Sequence, residues 1–247
     1  MSKPSPKRDA RTAHILHTAT ELLLRDGADA LSVQRLAAAL GWSAGALYRY
    51  FDSKDALLVA IQAQNLVVLG GFLGQAWSLG GGASWGLDER GASLLGLALA
   101  CRAYAGLPRW SPGRFRLLAL SIGEPRHWVE QAAAGPVLEG AAQLLGAVKA
   151  GIARAESAGA LWPSEGGRRA RVLWLAVHGV ASAQKFERFG SGALWHEALL
   201  DDLLLALLVG WGAQPSEAAQ ALERARGLES ELAALAERLD EQAAEVQ

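Results

Sequence analysis

Residues 31–58, LSVQRLAAALGWSAGALYRYFDSKDALL, restrict the fold more than any other part of the chain. Ser32 suits an N-cap, since its hydroxyl can accept from the orphan amides of the helix it opens. Leu36, Ala37 and Leu40 recur at helical spacing and mark an inner face. Gly41 supplies a stop, because a residue without Cβ turns left-handed at little cost. Ser43 caps a second helix whose Leu47 and Phe51 face inward. Ser53 caps a third, with Asp55 at its positive N-terminal end. The spacing predicts helices over about 9–26, 32–40 and 43–50, with a longer one from 53. Two short helices joined by a tight turn form the layout in which the second helix lies in the DNA major groove.

Gly41, Trp42, Ser43, Gly45, Leu47, Tyr48, Tyr50, Phe51, Lys54 and Leu57 fall at the spacing of a known helix-turn-helix signature. Upstream, Ile15, Ala19, Leu22, Leu23 and Gly27 extend the match to roughly fifty residues. The stretch resembles the tetracycline-repressor (TetR) family. The resemblance implies an all-α protein: a three-helix DNA-binding head over 9–66, a larger helical ligand-binding and dimerisation domain over 67–213, and here an extra tail over 214–247. It implies a transcriptional regulator, most often a repressor, released from a palindromic operator by a small effector. The implied partners are double-stranded operator DNA, that effector and a second copy of the chain.

Composition agrees. A chain of 247 residues exceeds one small head, so a second domain is expected. Half its residues are hydrophobic, rich in Ala and Leu, which favours helices. With 24 basic and 25 acidic residues the net charge is −1, so DNA must be met by a local patch. Lys3, Lys7, Arg8 and Arg11 supply basic charge beside the head. A single cysteine, Cys101, excludes an intrachain disulfide and a thiolate metal cluster and fits a reducing cytoplasm. The N-terminus lacks an apolar signal region. The apolar stretches 92–107 and 198–211 are interrupted by Arg102, Asp201 and Asp202 and are too short to span a bilayer.

Along the chain, residues 1–8 read as a disordered basic arm in which Pro4 and Pro6 block helix. The helix from 53 is expected to weaken at Gly70–Gly71, and glycines 80–82 mark a loop. Further helices are predicted near 89–105, 137–158, 168–189 and 194–211, with a turn over 106–112 containing Pro108 and Pro112. Trp174 with His178 and Gly179 resembles the Trp-x-x-x-His-Gly feature of one C-terminal subclass of the family. The family's last two body helices pair with their symmetry mates, and Leu203, Leu204, Leu207 and Leu208 form a stripe suited to that or to the subunit's own core. In the tail, Ala221, Ala225, Leu228, Leu232, Leu235, Leu239, Gln242 and Val246 follow a heptad pattern. Such a short seam either pairs with its copy in an existing dimer or folds back onto its own subunit.

For DNA contact, the resemblance assigns Tyr48 and Lys54 to the phosphate backbone, with the Ser32 and Ser43 hydroxyls in reach. Base readout is less direct, since Ala44, Gly45 and Ala46 at the start of the recognition helix carry almost no hydrogen-bonding capacity. Alanine can meet a thymine methyl, and donors are left to Gln34, Arg35, Arg49 and Tyr50. Trp42 is expected to pack under the turn. His14, His17 and Glu21 share one helix face, but that face is opposite Ile15, Ala19 and Leu22, so no metal is expected there. Nine tryptophans, all but Trp42 beyond the head, suit an apolar or aromatic effector. Trp110, Trp128, Trp174 and His178 are the pocket candidates; His178 is read as either a hydrogen-bonded core or interface histidine or a ligand contact. An enzyme or a helical adaptor is the alternative. The chain has no phosphate-binding loop, nucleophile elbow or His-Glu-x-x-His motif, so no catalytic residue and no cofactor are expected, and Cys101 reads as core filler.

Overall fold

The computed structural model describes residues 6–27, 31–81, 86–123, 135–165, 167–189 and 196–239. All regular structure among them is helical: α1 (Pro6–Asp26), α2 (Val33–Leu40), α3 (Ala44–Leu47), α4 (Lys54–Leu79), α5 (Glu89–Trp110), α6 (Pro112–Gly123), α7 (Gly135–Ser157), α8 (Gly167–Ala183), α9 (His196–Gly210), α10 (Pro215–Arg226) and α11 (Glu229–Glu237), with a 3-10 segment at Gln184–Phe189. They divide into two compact units. The first takes Met1–Val68, Pro112–Ala141 and Leu239–Gln247, and the second takes Leu69–Ser111 and Ala142–Arg238.

In the first unit, Ile15, Ala19, Leu22 and Leu23 of α1 close on Leu31, Leu36, Ala37, Leu47, Leu57, Leu58 and Ile61. These are the apolar positions the periodicity marks, and burying each large one stabilises the head by about 1.5–3 kcal/mol. One core member, Leu117, comes from α6. That helix packs on α1 at Gly113, where a Cβ would stand 2.7 Å from Leu24. Helix α6 therefore belongs with the head. Asn65 and Arg114 are buried as a polar pair, Arg114 donating to Asn65 Oδ1 at 3.1 Å and Asn65 donating to the Arg114 carbonyl at 3.2 Å.

The second unit is built around α5, buried from Ser93 to Leu107 apart from Ala100. Helices α8, α9, α10 and α11 all pack on it. In α9, Leu200, Leu204 and Leu208 enter this core while Leu203 and Leu207 stay half-buried, so the leucine stripe divides between two faces. The tail folds back: Ala218, Ala221, Leu222 and Ala225 of α10 and Leu232 and Ala236 of α11 are buried. The heptad seam is interrupted by a turn at Gly227–Leu228, and several of its positions are spent inside the subunit. Arg102 of α5 ion-pairs with Asp201 of α9, whose other oxygen takes Arg226 of α10 at 2.5 Å.

Three local expectations fail. Helix α1 begins at Pro6, not at residue 9, because proline is tolerated at a first helical position whose N–H would be unpaired anyway. Residues 1–5 lie outside the described residues. Helix α4 runs unbroken through Gly70, Gly71 and Gly74, carried by buried Leu69, Phe72, Leu73 and Ala76. Its 26 residues include a stretch long and apolar enough to cross a membrane, and most of that stretch is buried within the protein. Helix α5 continues past Gly106 and Pro108 to Trp110 where a turn is expected. In the turn before Pro108, Gln184 Nε2 donates to the Ala105 carbonyl at 2.7 Å.

Candidate DNA-binding head and effector cavity

The turn between α2 and α3 is set by local hydrogen bonds. Ser32 has extended φ/ψ and its hydroxyl accepts from Arg35 N at 3.1 Å. Gly41 takes φ 67°, and the amides of Gly41 and Trp42 donate to the carbonyls of Ala38 and Ala37 at 3.2 and 2.8 Å. This closes α2 with the left-handed motif that glycine favours. Ser43 then accepts from Ala46 N at 3.3 Å, opening α3, and Ser53 accepts from Ala56 N at 3.0 Å ahead of α4.

Helix α3 is shorter than the predicted 43–50. It covers Ala44–Leu47 and passes into turns at Tyr48, Arg49 and Tyr50. Gly45 is exposed with no atom within 4 Å of where a Cβ would stand. Tyr48 is half exposed, and Gln34, Arg49 and Lys54 are exposed. Tyr50 is only partly exposed, packing on Trp42 with centroids 5.9 Å apart. Arg35 is ion-paired to Asp26 at 2.6 Å, and Arg25 grips the same carboxylate at 2.9 Å. The hydrogen bond from Arg25 holds the Asp26 carboxyl below the usual carboxylate range. Arg8 has a role that the basic cluster alone does not specify. Its guanidinium lies 5.7 Å from the Tyr50 ring centroid and donates to the Arg49 carbonyl at 3.2 Å, so α1 braces the end of the recognition segment.

In the same unit His17 pairs with Glu21 at 3.4 Å, and among the described residues no cluster of three metal-ligating side chains occurs.

The second unit holds a cavity of about 130 Å³. Four helices line it: α4 with Leu73 and Trp77, α5 with Leu97, Cys101 and Tyr104, α7 with Val148 and Arg154, and α8 with Leu173, Trp174 and Val177. The indole of Trp77 fits because Gly96 and Gly151 leave room, a Cβ at either position falling 2.7 or 2.5 Å from its ring. Arg154 lies over that ring, 5.0 Å from the centroid. An open groove shares Trp77 and Arg154 and continues past Glu89, Ser93 and Ser157.

One end of the chamber is polar. Tyr104 Oη lies 2.9 Å from His178 Nδ1, and His178 Nε2 lies 3.4 Å from Ser182 Oγ. The imidazole stacks on Trp174 with centroids 5.8 Å apart. Burial pushes the Tyr104 phenol far up and the His178 imidazole down, so both are neutral near pH 7. The nearby Trp174 indole eases the rise at Tyr104 slightly, yet its buried N–H completes no hydrogen bond of normal geometry. Cys101 is pushed up to about 12 by burial, which leaves an inert thiol.

Of the pocket candidates, Trp174 lines the cavity and His178 reaches it through Tyr104. Trp110 folds back over Gly106 beneath the Arg109 guanidinium, away from the lining. Trp128 lies outside the described residues. Trp77, Tyr104 and Arg154 are missed by sequence reasoning. The signal for Trp77 is a pair of glycines on other helices, which no pattern around residue 77 reveals.

A serine-capped helix set just beyond a left-handed glycine, on a three-helix core, defines a helix-turn-helix DNA-binding protein. Residues 15–61 match the family model of bacterial regulatory proteins, tetR family, so this stretch is a tetR-type DNA-binding head. No curated protein matches the sequence. Among solved structures the chain is similar to a protein of unknown function from Rhodococcus sp. RHA1, with a TM-score of 0.62 and 22% identity over 82% of this chain and 96% of that one. It is also similar to RolR in complex with resorcinol, with a TM-score of 0.59 and 18% identity over 88% and 95% of the two chains. A third is a protein from Mesorhizobium loti classed with TetR-family transcriptional regulators, with a TM-score of 0.56 and 16% identity over 90% and 98%. At these identities the likeness establishes the fold.

Proposed function

We propose that this protein is a cytoplasmic, homodimeric transcriptional repressor that leaves a palindromic operator when a small apolar or aromatic effector enters the second unit. The observation that carries the reading is one chain holding both a family-matched head and a mainly apolar chamber. The chamber suits binding and not turnover, since its one thiol is inert and its histidine is neutral and occupied.

Tyr48 and Lys54 grip phosphates, supported by the cap hydroxyls of Ser32 and Ser43. Arg49 and Gln34 read bases, while the small surface of Ala44 and Gly45 lets the segment sit deep in the groove. Tyr50 and Arg35, being engaged by Trp42 and Asp26, contribute by holding the segment in place. The second copy docks on the outer faces of α8 and α9, where Val172, Leu175 and Leu199 are exposed.

Coupling runs through α4, which starts at Lys54 and supplies Leu73 and Trp77 to the chamber. An effector that prefers one setting of α4 shifts the dimer between two states and spoils the match to major grooves about 34–36 Å apart. A 100-fold loss of operator affinity needs about 2.7 kcal/mol of coupling.

The test is selection of duplexes from a random pool, followed by titration. A pseudo-palindromic site should emerge. Tyr48→Phe and Lys54→Ala should weaken binding to every sequence, with Lys54→Ala flattening the salt slope by about one. Arg49→Ala or Gln34→Ala should change base preference instead. Random duplex bound as tightly as any selected site would refute the reading.

A further inference from the structure

The chamber in the second unit is small, and its size is the first constraint on what it accepts. A dry apolar cavity of about 150 Å³ is enough to hold benzene. At about 130 Å³ the chamber has room for one six-membered ring and little more. Its walls are Leu73, Leu97, Val148, Leu173 and Val177, with the indoles of Trp77 and Trp174 offering flat faces.

Charge is the second constraint. No acidic residue lines the chamber, so a cationic ligand finds no counter-ion. Its one formally charged residue, Arg154, is exposed and rests on the Trp77 ring that it shares with the open groove. A carboxylate at the Tyr104 end would be buried beside a neutral imidazole and a neutral phenol, and desolvating the charge costs more than one hydrogen bond returns.

The third constraint is a donor without a proper acceptor. The indole N–H of Trp174 is buried beside Tyr104 and completes no hydrogen bond of normal geometry, and a buried donor short of a good acceptor costs stability. The neighbouring Tyr104 Oη already shares a hydrogen bond with His178 Nδ1. An acceptor carried on a bound ring would meet the indole N–H.

Resting on the effector-binding reading above, we propose that the chamber takes an uncharged monocyclic aromatic bearing one hydroxyl or similar acceptor, its ring between the apolar walls and its oxygen on the Trp174 indole N–H. The oxygen supplies the missing acceptor. A fused bicycle is too large, and a ring without an acceptor leaves the N–H unpaired.

Calorimetric titration of the free full-length protein tests this without reference to DNA. Phenol should bind about five- to tenfold more tightly than toluene, the worth of one hydrogen bond. Benzoate and 2-naphthol should bind at least about tenfold more weakly than phenol. Trp174→Phe should bring phenol down to the affinity of toluene and leave toluene unchanged. Ala100→Leu, which fills the chamber, should abolish both. Toluene equal to phenol in the wild type, or benzoate or 2-naphthol tighter than phenol, overturns the proposal even if Trp174→Phe does not fold. If a larger compound releases operator while phenol does not bind, the proposal falls and the regulator reading stands. If phenol binds through Trp174 without releasing operator, this assignment stands and the coupling through α4 falls.

Discussion

Tyr104 on α5 and His178 on α8, 74 positions apart, share a hydrogen bond of 2.9 Å between Oη and Nδ1. It joins the buried central helix to the helix that carries Trp174. Burial lowers the His178 pKa. The unfolded chain, titrating near about 6.5, therefore binds more protons between the two values. Stability is intact above about pH 6.5 and falls as pH drops through that value toward the lower folded one. Thermal melts from pH 8 to 5 should show this decline, and His178→Gln should flatten it. A wild-type melting temperature independent of pH over that range would contradict the assignment.

Gly41 should resist replacement for a purely conformational reason. Its φ is 67° and no atom lies within 4 Å of where a Cβ would stand, so Gly41→Ala meets strain and no clash. The left-handed backbone costs an alanine about 1 kcal/mol. Urea unfolding should show a lower midpoint with an unchanged slope, and operator binding should weaken because the turn sets where α3 points.

The three-residue ion cluster on α5, α9 and α10 predicts an asymmetric pair of mutants. Arg102 is buried and depends on Asp201, whereas Arg226 is more than half exposed. Asp201→Ala leaves a buried guanidinium uncompensated and should cost about 3–5 kcal/mol. Arg226→Ala removes a screened partner and should cost under about 1 kcal/mol. Equal losses in denaturant melts would show that Arg102 is solvated in solution.

Removing residues 215–247 uncovers the face of α5 that α10 and α11 bury. The truncated protein should melt lower, through lost packing within the subunit. Its association state in equilibrium sedimentation should stay that of the full chain, since the proposed dimer contact lies on α8 and α9. A shift to monomer would move the principal interface to the tail.

How much of this is legible in the sequence depends on how far each interaction reaches. The caps at Ser32, Ser43 and Ser53 and the stop at Gly41 bond to residues no more than five positions away. Residue type and spacing are enough to specify them, and the positions of the head's inner face follow from the same helical period. Expectations fail where a local breaker meets a strong tertiary environment. Gly70, Gly71 and Pro108 each weaken a helix in isolation, yet apolar burial around α4 and α5 outweighs a penalty of about 1–3 kcal/mol at each. The tail's periodicity correctly marks which side is apolar, but periodicity carries no record of what covers it. Self-pairing and folding back need the same stripe, and only the position of α5 selects between them. The chamber is further from reach. Trp77 fits because Gly96 and Gly151, on two other helices, lack side chains, and the pairing of Tyr104 with His178 exists only once α5 lies beside α8. Hydrogen bonds along one helix are written in neighbouring residues, whereas a cavity is the space that distant residues leave unfilled.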